Sequence, residues 1–152
     1  MIKNFNIEDF KKDCAEFELD SDSLLEKMKN WDSKQWALFE HVGETANNVE
    51  DISDLEIDDS EISFDGEELL ILTDDEADSA YEEELDDYFN EVVLPEIPEQ
   101  YQCYIDYEKW YHDARIKGSR GDSLASYDGY EEGHKIEYDD GEEDYIYIYR
   151  EG

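Results

Sequence analysis

The stretch EISFDGEELLILTDDEADSAYEEELDDYFNE, residues 61–91, decides the fold. Glu61-Ile-Ser-Phe64 and Glu68-Leu-Leu-Ile-Leu72 are β-prone runs on either side of Asp65-Gly66, the strongest short-range hairpin signal. Thr73, followed three residues on by Glu76, is a capping box, so the hairpin leads directly into a helix predicted over 74–93. Ala77, Tyr81, Leu85, Tyr88, Phe89 and Val92 form one apolar stripe on that helix, expected to face the core. Pro95 and Pro98 are expected to end it, because proline lacks the N–H that a continuing helix needs.

The same reading extends in both directions. Towards the N-terminus, Ile7, Phe10, Cys14 and Phe17 recur at helical spacing behind Asn6, a capping residue. Ser21 or Asp22 can cap a short helix through Leu24, Leu25 and Met28, and Asp32 opens a third with Trp36 and Phe39, stopping near Gly43. Residues 44–60 read as an acidic, irregular connector with at most one helical turn. Towards the C-terminus, a helix is predicted over 107–117, then a long loop punctuated by Gly118, Gly121, Gly129 and Gly133. A second hairpin closes the chain: His134–Tyr138, an Asp139-Asp140-Gly141 turn, then Tyr145–Arg150. The predicted class is α+β: a helical unit (1–43), a connector (44–60) and an α+β domain (61–152), or one continuous domain. Its antiparallel sheet of two hairpins packs with the acidic amphipathic helix.

Charge sets the function classes. The chain has 47 Asp+Glu against 12 Lys+Arg, a net charge of −35. Charged residues are 39% of it, against about 25% in ordinary domains. Such a polyanion repels nucleic-acid backbones and anionic lipid, which argues against direct DNA, RNA or membrane binding. No apolar run approaches the roughly 18 residues that span a bilayer. The N-terminus lacks an apolar signal core, which reads as cytoplasmic. Cys14 and Cys103 read as free thiols. Leu, Ile, Val and Phe total 33 residues, barely above the share of roughly 20% where disorder becomes the default. Twelve Tyr and three Trp tip the balance to a folded chain.

The charge is uneven. Residues 35–108 hold 26 acids and no Lys or Arg, an arrangement that sacrifices stability and suggests a use for the field. Asp74, Asp75, Glu76, Asp78, Glu82, Glu83, Glu84, Asp86, Asp87 and Glu91 place ten carboxylates on eighteen residues. Over about 27 Å of axis that is one charge per about 2.7 Å. One strand of duplex DNA carries a phosphate every 3.4 Å or so, and both strands together one per about 1.7 Å. Asp58 and Asp59 are candidates for a neighbouring acidic row. Such a surface suits a protein whose basic groove binds phosphates.

Catalytic and metal chemistry is not legible. Gly66 at the sixth position of a calcium loop would put Leu72 at the twelfth, where Glu is needed. His41, His112 and His134 lack zinc-site spacing, and no P-loop or nucleophile elbow is present. The expectation is therefore no enzyme, no cofactor and no metal. Tyr145, Tyr147 and Tyr149 alternate with Ile146 and Ile148 as a strand, so the tyrosine face is either a core layer or, with Trp110, a secondary interface.

Tyr104-Ile105-Asp106-Tyr107-Glu108, with Asp113, Ile116 and Gly118, resembles a segment of ArdA-type antirestriction proteins, with His112 standing where an Arg usually precedes the Asp. Those are acidic DNA mimics that inhibit type I restriction–modification enzymes by occupying the DNA groove. More broadly, Leu72–Asp78, Leu94-Pro95-Glu96, Trp110–Arg115, Tyr127-Asp128-Gly129 and Tyr147–Arg150 are similar to a family of small acidic phage proteins of unassigned activity. The resemblance implies a phage origin and a host bacterial cell. The expected function is a DNA mimic against a host DNA-binding defence protein with a basic groove, foremost a type I enzyme. A CRISPR effector, a repair nuclease, a uracil-DNA glycosylase and a nucleoid protein remain open as targets. A non-mimetic acidic interaction module, docking through its tyrosines, is the alternative. A two-fold homodimer would lengthen the mimic.

Overall fold

A wholly antiparallel four-stranded sheet in the order β1-β2-β4-β3 organises the chain, in a computed structural model that describes residues 1–152. β1 (Glu61–Phe64) and β2 (Glu67–Thr73) turn through Asp65 and Gly66, both at positive φ (50° and 78°), the backbone that a tight two-residue hairpin demands. β3 (Glu132–Glu137) pairs with β4 (Glu143–Arg150) around Gly141. The two hairpins join where β2 pairs with β4, Ile71 opposite Ile148. The class is α+β.

Period-two alternation sorts the sheet's side chains onto two covered faces. Leu69 and Ile71 of β2, Ile136 of β3, and Ile146 and Ile148 of β4 face one layer of helices: α1 (Ile7–Glu16), α2 (Ser21–Met28), α3 (Ser33–His41) and α4 (Val49–Ser53). Trp31, Trp36 and Phe39 fill the centre of that layer, with ring centroids 4.8–6.0 Å apart and edge-on, as aromatic quadrupoles prefer. Leu72 and Tyr149 face the other way, against Ala77 and Tyr81 of α5 (Asp74–Tyr88) and Leu124 of α8 (Arg120–Leu124).

Several expectations are corrected. The stretch 44–60 holds more than the one helical turn allowed to it: a short 3-10 turn (Ala46–Asn48) and α4 bury Ala46, Val49 and Ile52 in the same core as the sheet, while 54–60 carry no helix or strand. Buried Gln35 donates from Nε2 to the carbonyl of Ile52 (3.1 Å), tying α3 to α4. The helical unit and the sheet therefore share one core across the boundaries drawn at 43 and 60. Asp20, not Ser21 or Asp22, caps α2, accepting from the N–H of Asp22 and Ser23. The helix predicted over 74–93 forms with those bounds, and the helical path then passes Pro95 and ends ahead of Pro98. After Tyr88 it continues through a π turn (Phe89–Val93) into a 3-10 turn (Leu94–Glu96), where Pro95 sits at the turn's start and its missing N–H costs no bond.

The glycine-rich loop contains α8, opened by a capping box between Ser119 and Asp122. Gly121 is required there, because a Cβ would lie 2.6 Å from the carbonyl of Gly129. Two short helices, α6 (Glu99–Gln102) and α7 (Tyr107–Lys117), complete the fold. No helix is long and apolar enough to cross a membrane.

Candidate functional site

α5 begins where β2 ends, at Thr73. The Thr73 hydroxyl accepts from the N–H of Glu76 (3.2 Å), and the Glu76 carboxylate accepts from the N–H of Thr73 (3.0 Å). Lys34 of α3 reaches the same carboxylate at 2.8 Å. Burial alone would raise the Glu76 pKa, but Lys34 and the Thr73 N–H outweigh it and hold the carboxyl below its usual range.

The ten carboxylates do not stand free of cations, as sequence spacing alone suggested. Arg120 of α8, 15% exposed, reaches Asp74 (2.8 Å), Asp78 (3.2 Å) and Glu131 (2.7 Å), and its guanidinium lies 4.6 Å over the Tyr147 ring. Arg115 of α7 approaches Asp78 at 3.4 Å. The Asp74/Asp78 repulsion one turn apart is thus bridged by a single guanidinium, whose planar fork suits several carboxylates. Sequence could not show this, because the partners lie 46 and 42 residues away.

Asp75, Glu82, Glu83, Glu84, Asp86, Asp87 and Glu91 remain exposed and without an ion pair. Asp75 and Glu83 border one surface hollow with Asp59 and Glu76. Glu83, Glu84 and Asp87 border the next with Glu151. An acidic band therefore runs from Asp59 across this flank of α5 to the chain's last carboxylate side chain. Asp58 is exposed beside it, its carboxylate accepting from the N–H (2.8 Å) and hydroxyl of Ser60, which lowers its pKa. Asp86 lies by the Tyr107 hydroxyl, whose pKa is pushed up to about 12 by burial and by that carboxylate.

The apolar stripe differs from expectation, and the tyrosine face divides between its two readings. Ala77, Tyr81 and Phe89 are buried and Leu85 half-buried, but Tyr88 and Val92 are exposed. Past Tyr81 the helix packs on α7, with Phe89 4.9 Å from Tyr107 and 5.0 Å from Trp110 between ring centroids. Tyr149 is fully buried under α5 and α8, its hydroxyl on Glu131, so it is closed to a partner. Burial and Glu131 both push its pKa up. Tyr147 is half-buried beneath Arg120, and only Tyr145 of the three is exposed. Trp110 belongs to the separate aromatic cluster with Tyr88, Phe89 and Tyr107. These four side chains do not make one interface.

A further cluster is not marked by any motif spacing in the sequence. Glu40 and His41 end α3, Glu67 starts β2, and Glu132 and His134 share one face of β3. Glu132 Oε2 lies 2.6 Å from His41 Nδ1 and 2.8 Å from His134 Nε2. The outer ring nitrogens reach Glu67 (His41 Nε2, 2.9 Å) and Glu40 (His134 Nδ1, 2.9 Å). Burial would lower the His134 pKa, but Glu40 and Glu132 raise it on balance. His41 and His134 stand 93 positions apart, so no spacing rule finds them. The alternation of Glu132 and His134 on one strand was the one readable hint.

No protein-family model, curated protein or solved structure matches this chain.

Proposed function

We propose that the chain is a DNA-mimic inhibitor of a host DNA-binding defence protein, foremost a type I restriction–modification enzyme. The observation that carries the reading is the segregation of charge on α5. Lys34, Arg115 and Arg120 are spent on Glu76, Asp78 and Asp74, while seven further carboxylates of the same helix and its π turn stay exposed with no ion pair. Spread over Asp75–Glu91, about 25 Å of axis, those seven give one charge per roughly 3.6 Å. One strand of duplex DNA carries a phosphate every 3.4 Å or so, and Asp59 and Glu151 flank the row.

In mechanism, the band enters a basic groove and takes up the Lys and Arg side chains that otherwise meet phosphates. Long-range attraction speeds encounter, and added salt slows it. The ArdA-like residues support the same reading: they fall on α7 and the turn before it, beside the end of the acidic helix.

The test is cleavage of duplex DNA by a purified type I enzyme in the presence of the chain. Glu82→Lys, Glu83→Lys, Asp86→Lys and Asp87→Lys together should abolish inhibition, while Asp74→Asn, whose carboxylate Arg120 already meets, should preserve it. Full inhibition by a folded quadruple variant sinks the site.

A further inference from the structure

We infer that His41, Glu132 and His134 form a binding site for a divalent transition-metal ion of the zinc class, independent of the acidic band. The three ligand atoms lie within 4.8 Å of one another on half-buried side chains. The inference rests first on how the two rings are held. A neutral imidazole carries one N–H and one lone pair. Glu67 faces His41 Nε2 and Glu40 faces His134 Nδ1, both at 2.9 Å, placed to accept the N–H of those nitrogens. In that tautomer the lone pairs of His41 Nδ1 and His134 Nε2 converge on one carboxylate oxygen of Glu132, 2.6 and 2.8 Å away. A dication at that point satisfies all three.

The surrounding contacts favour the dication. Metal-bound histidines characteristically donate their second N–H to a carboxylate, which fixes the tautomer and raises ligand basicity. Here both histidines have a carboxylate at that second nitrogen. Two imidazoles and a carboxylate are a donor set for zinc or another late first-row ion rather than for magnesium or calcium, which prefer oxygen. Ligand atoms around zinc, with bonds of about 2.0–2.1 Å, stand roughly 3.3 Å apart, so the two contacts to Glu132 need to open by about 0.5–0.7 Å. Two of the three ligands, His41 and Glu132, border a cavity of about 130 Å³ with Glu67, Asp128 and Tyr130, which has room for water. Because the ligands come from α3 and β3, the ion would pin the helical layer to the sheet.

The full chain, stripped with chelator, is titrated with Co²⁺ in millimolar Mg²⁺, which occupies loose surface carboxylates. One equivalent should develop visible d–d absorption typical of four- or five-coordinate cobalt, and one equivalent of Zn²⁺ should remove it. Zinc at about a hundredfold over its Kd should raise the Tm by roughly 5–10 °C. His41→Asn and His134→Asn should abolish the spectrum, and His112→Asn should leave it unchanged. Glu40→Gln keeps all three ligands, so it covers the case in which a histidine variant fails to fold. It should weaken binding about 10- to 100-fold by freeing the His134 ring. A wild-type chain without the d–d bands overturns the inference, as does a spectrum undiminished in Glu40→Gln and His41→Asn, which would mark cobalt merely condensed on a polyanion.

Discussion

The two faces of the sheet are built to different standards. Towards α1–α4, nineteen buried residues form one core. Towards α5 and α8, six do, and two of them are the tyrosines Tyr81 and Tyr149, the second with its hydroxyl on a carboxylate. The first face is held by apolar area and edge-packed aromatics. The second is held by a thin apolar layer laced with arginine–carboxylate contacts. A chain carrying −35 charges has to collect stability somewhere, and the large core leaves the other side free to bear a surface that repels itself.

The comparison is broken most directly in the large core. Trp36 is 1% exposed among Phe5, Trp31 and Phe39. Trp36→Ala should cost about 3–5 kcal/mol. Against a typical total of about 5–15 kcal/mol, that is enough to bring the chain close to unfolding. Leu124→Ala, on the thin face, should fall near the lower end of the large-to-small range, about 2–3 kcal/mol. Urea denaturation of both variants measures the difference, and equal costs would mean that the faces contribute alike.

Arg120→Ala tests the polar half of the thin face. The guanidinium is mostly buried and satisfies three carboxylates, two of them half-exposed. Removing it strands Glu131 beside the Tyr149 hydroxyl and restores the repulsion between Asp74 and Asp78. The expected loss is about 2 kcal/mol, below that of a fully buried pair because the partners keep some water. Arg120→Lys should recover only part of it, since a point charge cannot serve three carboxylates as a fork does. A loss under about 0.5 kcal/mol would class the contacts with ordinary surface pairs.

What the sequence made legible is local. The Asp65-Gly66 hairpin, the Thr73–Glu76 capping box, the helix after it and the Asn6 and Asp32 caps are all set within a few residues, and they form as predicted. α8 was also within reach, since Ser119 and Asp122 make the same reciprocal cap, but four glycines drew attention to loops instead. α4 hid because its two apolar anchors, Val49 and Ile52, stand among acids. The rest depends on distance along the chain. The β2–β4 pairing, the Arg120 bridge and the His41–Glu132–His134 cluster each join elements more than forty residues apart, and no window of sequence contains both partners. The acidic band was legible as composition, but which of its carboxylates stay unpaired was not.

The smallest expected effect separates stability from function on α5. Glu83 and Asp87, and Asp87 and Glu91, stand one turn apart as like charges with no cation to offset them. Such pairs cost about 0.2–0.5 kcal/mol each. Glu83→Gln with Asp87→Asn should therefore stabilise the chain by roughly 0.5–1 kcal/mol while weakening inhibition, two changes of opposite benefit from one double variant. Added salt sharpens the result. Neighbours one turn apart are about 5–6 Å from each other. At about 0.1 M salt the screening length is near 10 Å, falling to about 3 Å at 1 M. Raising salt across that range should stabilise the wild type more than the variant, closing the gap between their urea midpoints. A variant that loses stability instead would show that these carboxylates hold the fold, and the case for reading them as a field kept free for a partner would go with it.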